Sequence, residues 1–275
     1  MRAAPDVVLD IDHLRGRLIP KGRTLPVFDD LTSFYISVDH ASLSLDADSM
    51  SALVKRVFDY KGSPLSDVSI SLAEGHVEQK GKLRKGIPIP FKVVAEVSTE
   101  RGLIRLRPAT VSVVGVPAGR IMKFVGLELD DIIKVRTGRG VTIRDNDLLL
   151  EAGHILPAPE VRGPVTSARI AGNRLVIVIA AGQTGWQEPR VSASNAHNYI
   201  WFKGGEIRFG RLTMANADLQ LIDADERDPF DFYSARYNDQ LVAGYSRNTP
   251  DGALRTFMPD YADLSKVRGT SGRTN

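Results

Sequence analysis

VSISLAEGHVEQKGKLRKGIPIPFKVVAEVSTERGLIRLRPATVSV, residues Val68–Val113, decides the fold. Its apolar residues recur at every second position. Val68, Ile70 and Leu72 alternate with Ser69 and Ser71, and Val77, Gln79, Gly81 and Leu83 alternate with Glu78, Lys80, Lys82 and Arg84. Ile89, Phe91, Val93, Ala95 and Val97 follow, then Ile104, Leu106, Val111 and Val113. A period of two marks strands with one buried face. Glu74-Gly75 and Arg101-Gly102 separate the runs. Connections this short imply antiparallel neighbours, because parallel strands need long crossovers. Ile87–Pro90 reads as a further turn.

The same period extends outward. Phe34, Ile36 and Val38 slip by one residue and resume as Ala41, Leu43 and Leu45. Downstream come Val141–Leu150, Val161–Ile170, Leu175–Ala180, Ile207–Phe209 and Leu219–Leu221, with turns at Asp145-Asn146-Asp147 and Gly172-Asn173. Three helices interrupt the strands. In the first, Asp46 or Asp48 caps a stripe of Met50, Leu53, Val54, Val57 and Phe58, and Gly62 ends it. The second runs from about Pro117 to Leu129 and turns Met122 and Val125 to its apolar side. The third is expected over Pro229–Ala243, with Asp228 as N-cap, Pro229 at the first helical position and Gly244 as the stop.

The expected fold class is therefore α+β: a curved, mainly antiparallel sheet rolled around one or two helices. Residues 1–32 read as an N-terminal arm with one short strand, Val7–Ile11, and 33–181 as the main body. Residues 182–198 lack periodicity and read as a linker, 199–261 as a strand-and-helix extension, and 262–275 as a flexible tail.

Composition narrows the function classes. The chain has 275 residues, 43% hydrophobic and 25% charged, which excludes disorder over most of its length. The 36 basic and 33 acidic side chains leave a net charge of only +3, too little to argue for a nucleic-acid partner. There is no cysteine, so disulfides, thiolate metal sites and a cysteine nucleophile are excluded. The longest apolar run, Leu175–Ala181, is far short of the ~20 residues of a spanning helix. The charged first thirty residues carry no signal-peptide pattern.

No catalytic signature is present: no G-x-S-x-G, H-E-x-x-H, P-loop or dinucleotide fingerprint. His13, His40, His76, His154 and His197 are widely separated, with no pair at metal-ligand spacing. The acids Asp218, Asp223, Asp225, Glu226, Asp228 and Asp231 could hold calcium, but they lack the EF-hand spacing. A solvated strand end followed by helix caps is the favoured reading. No catalytic residue, metal ligand or cofactor is assigned, and an enzyme is not expected.

An area argument points elsewhere. About 100 strand residues, at ~3.4 Å rise and ~4.8 Å spacing, make a sheet face of about 1,600 Å². Some 40 helical residues cover on the order of 600 Å² of it. The remaining apolar face must be covered by the sheet itself, by a partner or by an apolar ligand, since monomers rarely expose so large a patch. Lys80, Lys82, Arg84 and Lys85 form a basic strand. It is either a solvated face or an attraction for anionic headgroups, at about 1 kcal/mol per basic residue. Residues 199–261 hold 11 of the 19 aromatics, read as a core cluster with a membrane-interface role as the alternative.

The order of elements carries a resemblance. The helix ADSMSALVKRVFDY precedes the strand pair VSISLAEGHVEQKGKLRKG, then IPFKVVAEV, RLRPATVSV, a Gly-containing helix and GVTIRDNDLLL. Over residues 40–180 this resembles the LmeA-like phospholipid-binding proteins of bacterial envelopes. More distantly it is similar to the tubular lipid-binding (BPI-like) fold. GGEIRFGRLTMANADLQLID looks like the strand units of AsmA-like lipid-transfer proteins. The resemblance implies non-catalytic binding or transfer of phospholipid acyl chains, a cell-envelope or periplasmic location and peripheral contact with a membrane surface. The chain lacks that family's export signal and lipidated cysteine. From periodicity, the groove lining is expected to be Leu53, Val57, Phe58, Phe91, Val93, Met122, Val125 and Ile177, with Lys80, Lys82, Arg84 and Lys85 near the headgroups. The rival reading is a structural or scaffolding envelope protein whose apolar face docks a partner or a second copy.

Overall fold

Asp46 starts the first helix. Its Oδ1 accepts the Ser49 backbone N–H at 2.8 Å, satisfying a donor that has no partner within the helix. The computed structural model describes residues 1–22, 25–58, 63, 65–73, 75–85, 87–113, 140–144, 146–180, 196–225 and 227–265. Its strands open with β1 (Arg2–Ala4), β2 (Val7–Val8), β3 (Asp10–Pro20) and β4 (Phe34–Asp46). Helix α1 (Ala47–Phe58) leads to β5 (Leu65–Ala73), β6 (His76–Lys85), β7 (Ile87–Glu100), β8 (Leu103–Val113), β9 (Val141–Arg144) and β10 (Asp147–Leu150). After α2 (Ala152–Ile155) come β11 (Glu160–Arg162), β12 (Val165–Ala171) and β13 (Arg174–Ala180). The last strands are β14 (Tyr199–Lys203), β15 (Glu206–Phe209), β16 (Leu212–Ala215) and β17 (Asp218–Asp223), then, after α3 (Tyr237–Ala243), β18 (Tyr245–Asn248) and β19 (Leu254–Met258). The chain is sheet-rich α+β: the neighbours from β5 to β10, β4–β13, β12–β13, β14–β17, β15–β16 and β18–β19 are antiparallel, and β17 runs parallel to β19. No helix among the described residues is long and apolar enough to cross a membrane.

Two compact units share these elements. The larger comprises residues 5–17 and 36–183. It holds a six-stranded antiparallel sheet, ordered β5-β6-β7-β8-β10-β9. The β7–β8 turn is Arg101-Gly102, both at positive φ (49° and 81°), as a two-residue hairpin that follows the strand twist requires. β7 runs unbroken from Ile87, so Ile87–Pro90 is strand rather than turn. Pro88 and Pro90 have the same parity, so both missing donors fall along one edge, and the named β7–β8 pairs begin beyond them at Phe91↔Val113. β5 lies at the margin of the sheet, and α1 covers it. Ser51 Oγ accepts the Ile70 N–H at 2.8 Å, closing part of an edge that would otherwise invite another strand. A second sheet, ordered β11-β4-β13-β12 with β3 against β4, completes the unit, and β12 packs against β7. The slip read in β4 is real: Val38 and Ala41 are buried with two half-buried residues between them.

The smaller unit comprises residues 1–4, 18–35 and 184–275. Its four-stranded sheet is ordered β14-β17-β19-β18, beside the hairpin β15–β16. The expected aromatic core is present. The Phe28 ring stacks on Phe209 at 4.1 Å and meets Phe202 and Tyr237 edge-on.

Three further expectations need correction. Residues 1–32 are not an arm with one strand, since they contain β1, β2 and the 11-residue β3. Val161–Ile170 divides at Gly163-Pro164 into β11 and β12. Pro229–Ala243 is not one helix: a 3-10 turn begins at Ser234 and α3 only at Tyr237. The cause is competition for backbone groups. Phe232 O accepts the Arg2 N–H at 2.7 Å, Tyr233 N–H donates to the Gln240 side chain, and Asp231 N–H donates to Asp260. With those groups taken by distant partners, a helical turn cannot form there. The expected second helix, Pro117–Leu129, lies outside the described residues.

Candidate functional site

The first candidate is the face of the six-stranded sheet that α1 meets. Residues directly opposite on antiparallel strands share a face. Gln79, Val93 and Val111 lie in one row, and Gly81 and Phe91 in the next. Val97 opposes Leu106, Leu106 opposes Leu148, and Leu148 opposes Ile143. The apolar side thus continues across β6, β7, β8, β10 and β9. Over β5 and β6 it is closed: Leu65, Val68 and Leu83 form a buried cluster with Val54, Phe58 and Phe91 packed on it. Gly81 makes room for this. A Cβ there would meet the Phe91 ring at 2.9 Å, so the ring lies across the glycine. Farther along, Val93, Val97, Leu106, Val111, Ile143 and Leu148 are half-buried.

The expected groove residues divide accordingly. Leu53 and Val57 are buried on α1, and Phe58 and Phe91 meet in the same cluster. Val93 is half-buried on the open part of the face. Ile177 belongs to the other sheet, buried on β13 opposite Leu43 and Ala168. Met122 and Val125 lie outside the described residues, as do the side chains of Arg84 and Lys85. Lys80 and Lys82 point from the opposite face. Lys80 and Lys92 both pair with Glu78, at 2.9 and 2.6 Å, and Lys82 pairs with Asp67 at 2.7 Å, so much of this basic charge is matched locally.

Two groupings are invisible in the linear sequence. β3 beside β4 brings together two histidines that are 27 positions apart. His13 Nε2 and His40 Nδ1 share a hydrogen bond at 2.7 Å, their rings stack at 4.8 Å, and Asp12 Oδ2 lies 2.9 Å from His13 Nδ1. In the smaller unit, Asp223, Asp228 and Asp260 each bring a carboxylate oxygen within 4.8 Å of the other two. Burial is the main cause that raises the Asp260 and Asp223 carboxyls above the usual range. The charge of Asp223 and a hydrogen bond with Asp228 add to it at Asp260. The acid-rich stretch signalled Asp223 and Asp228, but nothing near them in sequence signalled Asp260.

The smaller unit also contains an open apolar pocket of about 280 Å³, lined by Leu219, Leu221, Leu254, Tyr237, Leu241 and Tyr245 among others. None of the expected groove residues lines it. Tyr237 donates its O–H to Asp29 at 3.1 Å, and burial, then that carboxylate, push its phenol up to about 12. A pKa raised in the folded state gives stability that is intact below pH ~10 and lost as pH rises through ~12, on the order of 2–3 kcal/mol. Denaturation at pH 9 and 11 is expected to show about half of this loss, and Tyr237→Phe to remove that part of it.

No protein-family model matches the chain, and no curated protein or solved structure matches it either.

Proposed function

We propose that this chain binds lipid without covalent chemistry, holding acyl chains against the open part of the β6–β10 face. In this reading the sheet rolls about α1 in the tubular manner of the families it resembles, and the protein works in the cell envelope at a membrane surface. The observation that carries it is an apolar face continued across successive strands while α1 packs against β5 at one margin. The half-buried Val93, Val97, Val111 and Leu148 offer a surface on which each buried methylene contributes about 0.8 kcal/mol. Binding is by partition, and headgroups stay in water.

Native mass spectrometry on the intact chain, purified without detergent, tests this. The expected spectrum carries adducts of phospholipid mass that disappear into an organic extract. Val93→Asp sets a carboxylate in the apolar face, where an unpaired polar group costs at least ~1–3 kcal/mol, so adduct occupancy should fall about tenfold while the far-UV spectrum is unchanged. A clean apo mass with an empty extract overturns the reading. If sedimentation then shows a tight dimer, the scaffolding alternative takes its place.

A further inference from the structure

We propose that Asp223, Asp228 and Asp260 form a binding site for a hard divalent cation, calcium above all. The site is built where two strands end together. β17 and β19 are parallel, Asp223 lies opposite Met258, and the Ala224 N–H donates to Met258 O at 2.9 Å. The next residues, Pro259 and Asp260, therefore emerge beside the end of β17. The short loop after Asp223 returns Asp228 to the same place.

The geometry fits one ion. Calcium holds oxygens at about 2.3–2.6 Å, so two ligands of one ion stand at most about 5 Å apart. The three carboxylates meet that limit, with one oxygen from each within 4.8 Å of the others. Magnesium dehydrates reluctantly and usually keeps several waters, so three protein carboxylates suit it less. The donor set is all oxygen, without histidine or thiolate, which favours calcium, magnesium or manganese over zinc or copper. Asp228 is exposed, which leaves a side open for water ligands.

A second observation is independent of the clustering. Asp223 is 3% exposed, and its Oδ2 has no hydrogen-bond partner among the described residues. Its other oxygen accepts the Asp225 N–H at 2.9 Å. The Asn198 side chain lies near enough to favour the charged form, but it donates to the Asp228 carbonyl at 2.9 Å. Asp260 Oδ1 accepts the Asp231 N–H. Nearby cationic side chains are committed elsewhere: Arg227 forks onto Asp225, and Arg2 pairs with Asp231 at 2.8 Å. Two buried carboxylates and a third beside them are thus left without an ion-pair partner among the described residues. Such an arrangement is costly unless a proton or a metal cation neutralises it. This inference does not depend on lipid binding.

Thermal unfolding of the full chain, stripped with a chelator and titrated with CaCl₂ at constant ionic strength, tests the site alongside calorimetry. The expected result is saturable calcium binding, with Tm raised on the order of 5 °C at about ten times Kd. Magnesium should bind at least tenfold more weakly. Asp223→Asn should weaken calcium binding at least tenfold. Asp228→Ala, at an exposed position that does not threaten folding, should do the same, and Asp251→Asn, exposed beyond the other end of β19, should bind as the parent does. No saturable response up to ~10 mM, the weak end of calcium sites, overturns the proposal. So does an equal response from the parent and Asp228→Ala.

Discussion

Gln240→Leu is expected to destabilise the smaller unit by about 4 kcal/mol. Gln240 is fully buried on α3, and its amide does the work of a missing strand. Oε1 accepts the Tyr233 N–H at 2.9 Å, while Nε2 donates to Asp231 O at 3.1 Å and Pro259 O at 2.9 Å. These bonds fasten the extended segment before α3 to the segment that follows β19. Leucine fills nearly the same volume, so little cavity forms. It leaves the Tyr233 N–H and the Pro259 carbonyl without partners, each at a cost of about 1–3 kcal/mol, while Asp231 O keeps the Tyr261 N–H at 3.0 Å. Total stability of a domain is typically only 5–15 kcal/mol, so this single change should bring the unit close to unfolding at room temperature. Urea denaturation measures it. Val242→Ala, on the same helix but 85% exposed, should stay within about 0.5 kcal/mol and serves as the control. A loss below about 1 kcal/mol at Gln240 would mean that those backbone groups are satisfied in some other way.

Asp147→Leu is expected to cost the larger unit about 3 kcal/mol. Asp147 is 7% exposed at the start of β10. Its carboxylate takes a fork from Arg105, with Nε at 2.6 Å, and a contact from Arg107 at 3.3 Å. Removing one partner of a buried pair costs more than the pair contributes, because the other charge remains in a poor environment. Glu100, 3.5 Å from Arg105, softens the loss and keeps it at the low end. The pair also gives a pH signature. Burial alone would raise the Asp147 carboxyl, but the two arginines outweigh it and hold the group below its usual value. A pKa depressed in the folded state gives stability that is present above ~4 and lost as pH falls below it. The parent should therefore lose more stability than Asp147→Leu between pH 5 and 3. Equal losses would show that the ion pair contributes nothing.

Both residues show where the sequence was legible. The hairpins from β5 to β8 and the capped start of α1 come from neighbours in the chain. Period two, a glycine turn and an aspartate three residues before a helical N–H act over a few positions, so local chemistry decides them. The groove lining was half legible. Alternation put Phe91 and Val93 on one face correctly, but it could not show that Ile177 belongs to a different sheet, because strand order is a matter of which distant strands pair. The failed helix over Pro229–Tyr233 has the same origin. Asp228 and Pro229 make a good local start, and the extended backbone wins because Arg2, Gln240 and Asp260 each take a hydrogen-bonding group from it.

The linear sequence by itself determined the strand-rich α+β class, the short antiparallel connections and the first helix, since each depends on contacts within about a dozen residues. Only the tertiary structure decided the company of Asp260 with Asp223, of His13 with His40 and of Gln240 with three backbone groups. Those meetings follow from strand pairings across long stretches of chain, chiefly the parallel contact of β17 with β19, and no residue announces its distant partner by its own chemistry.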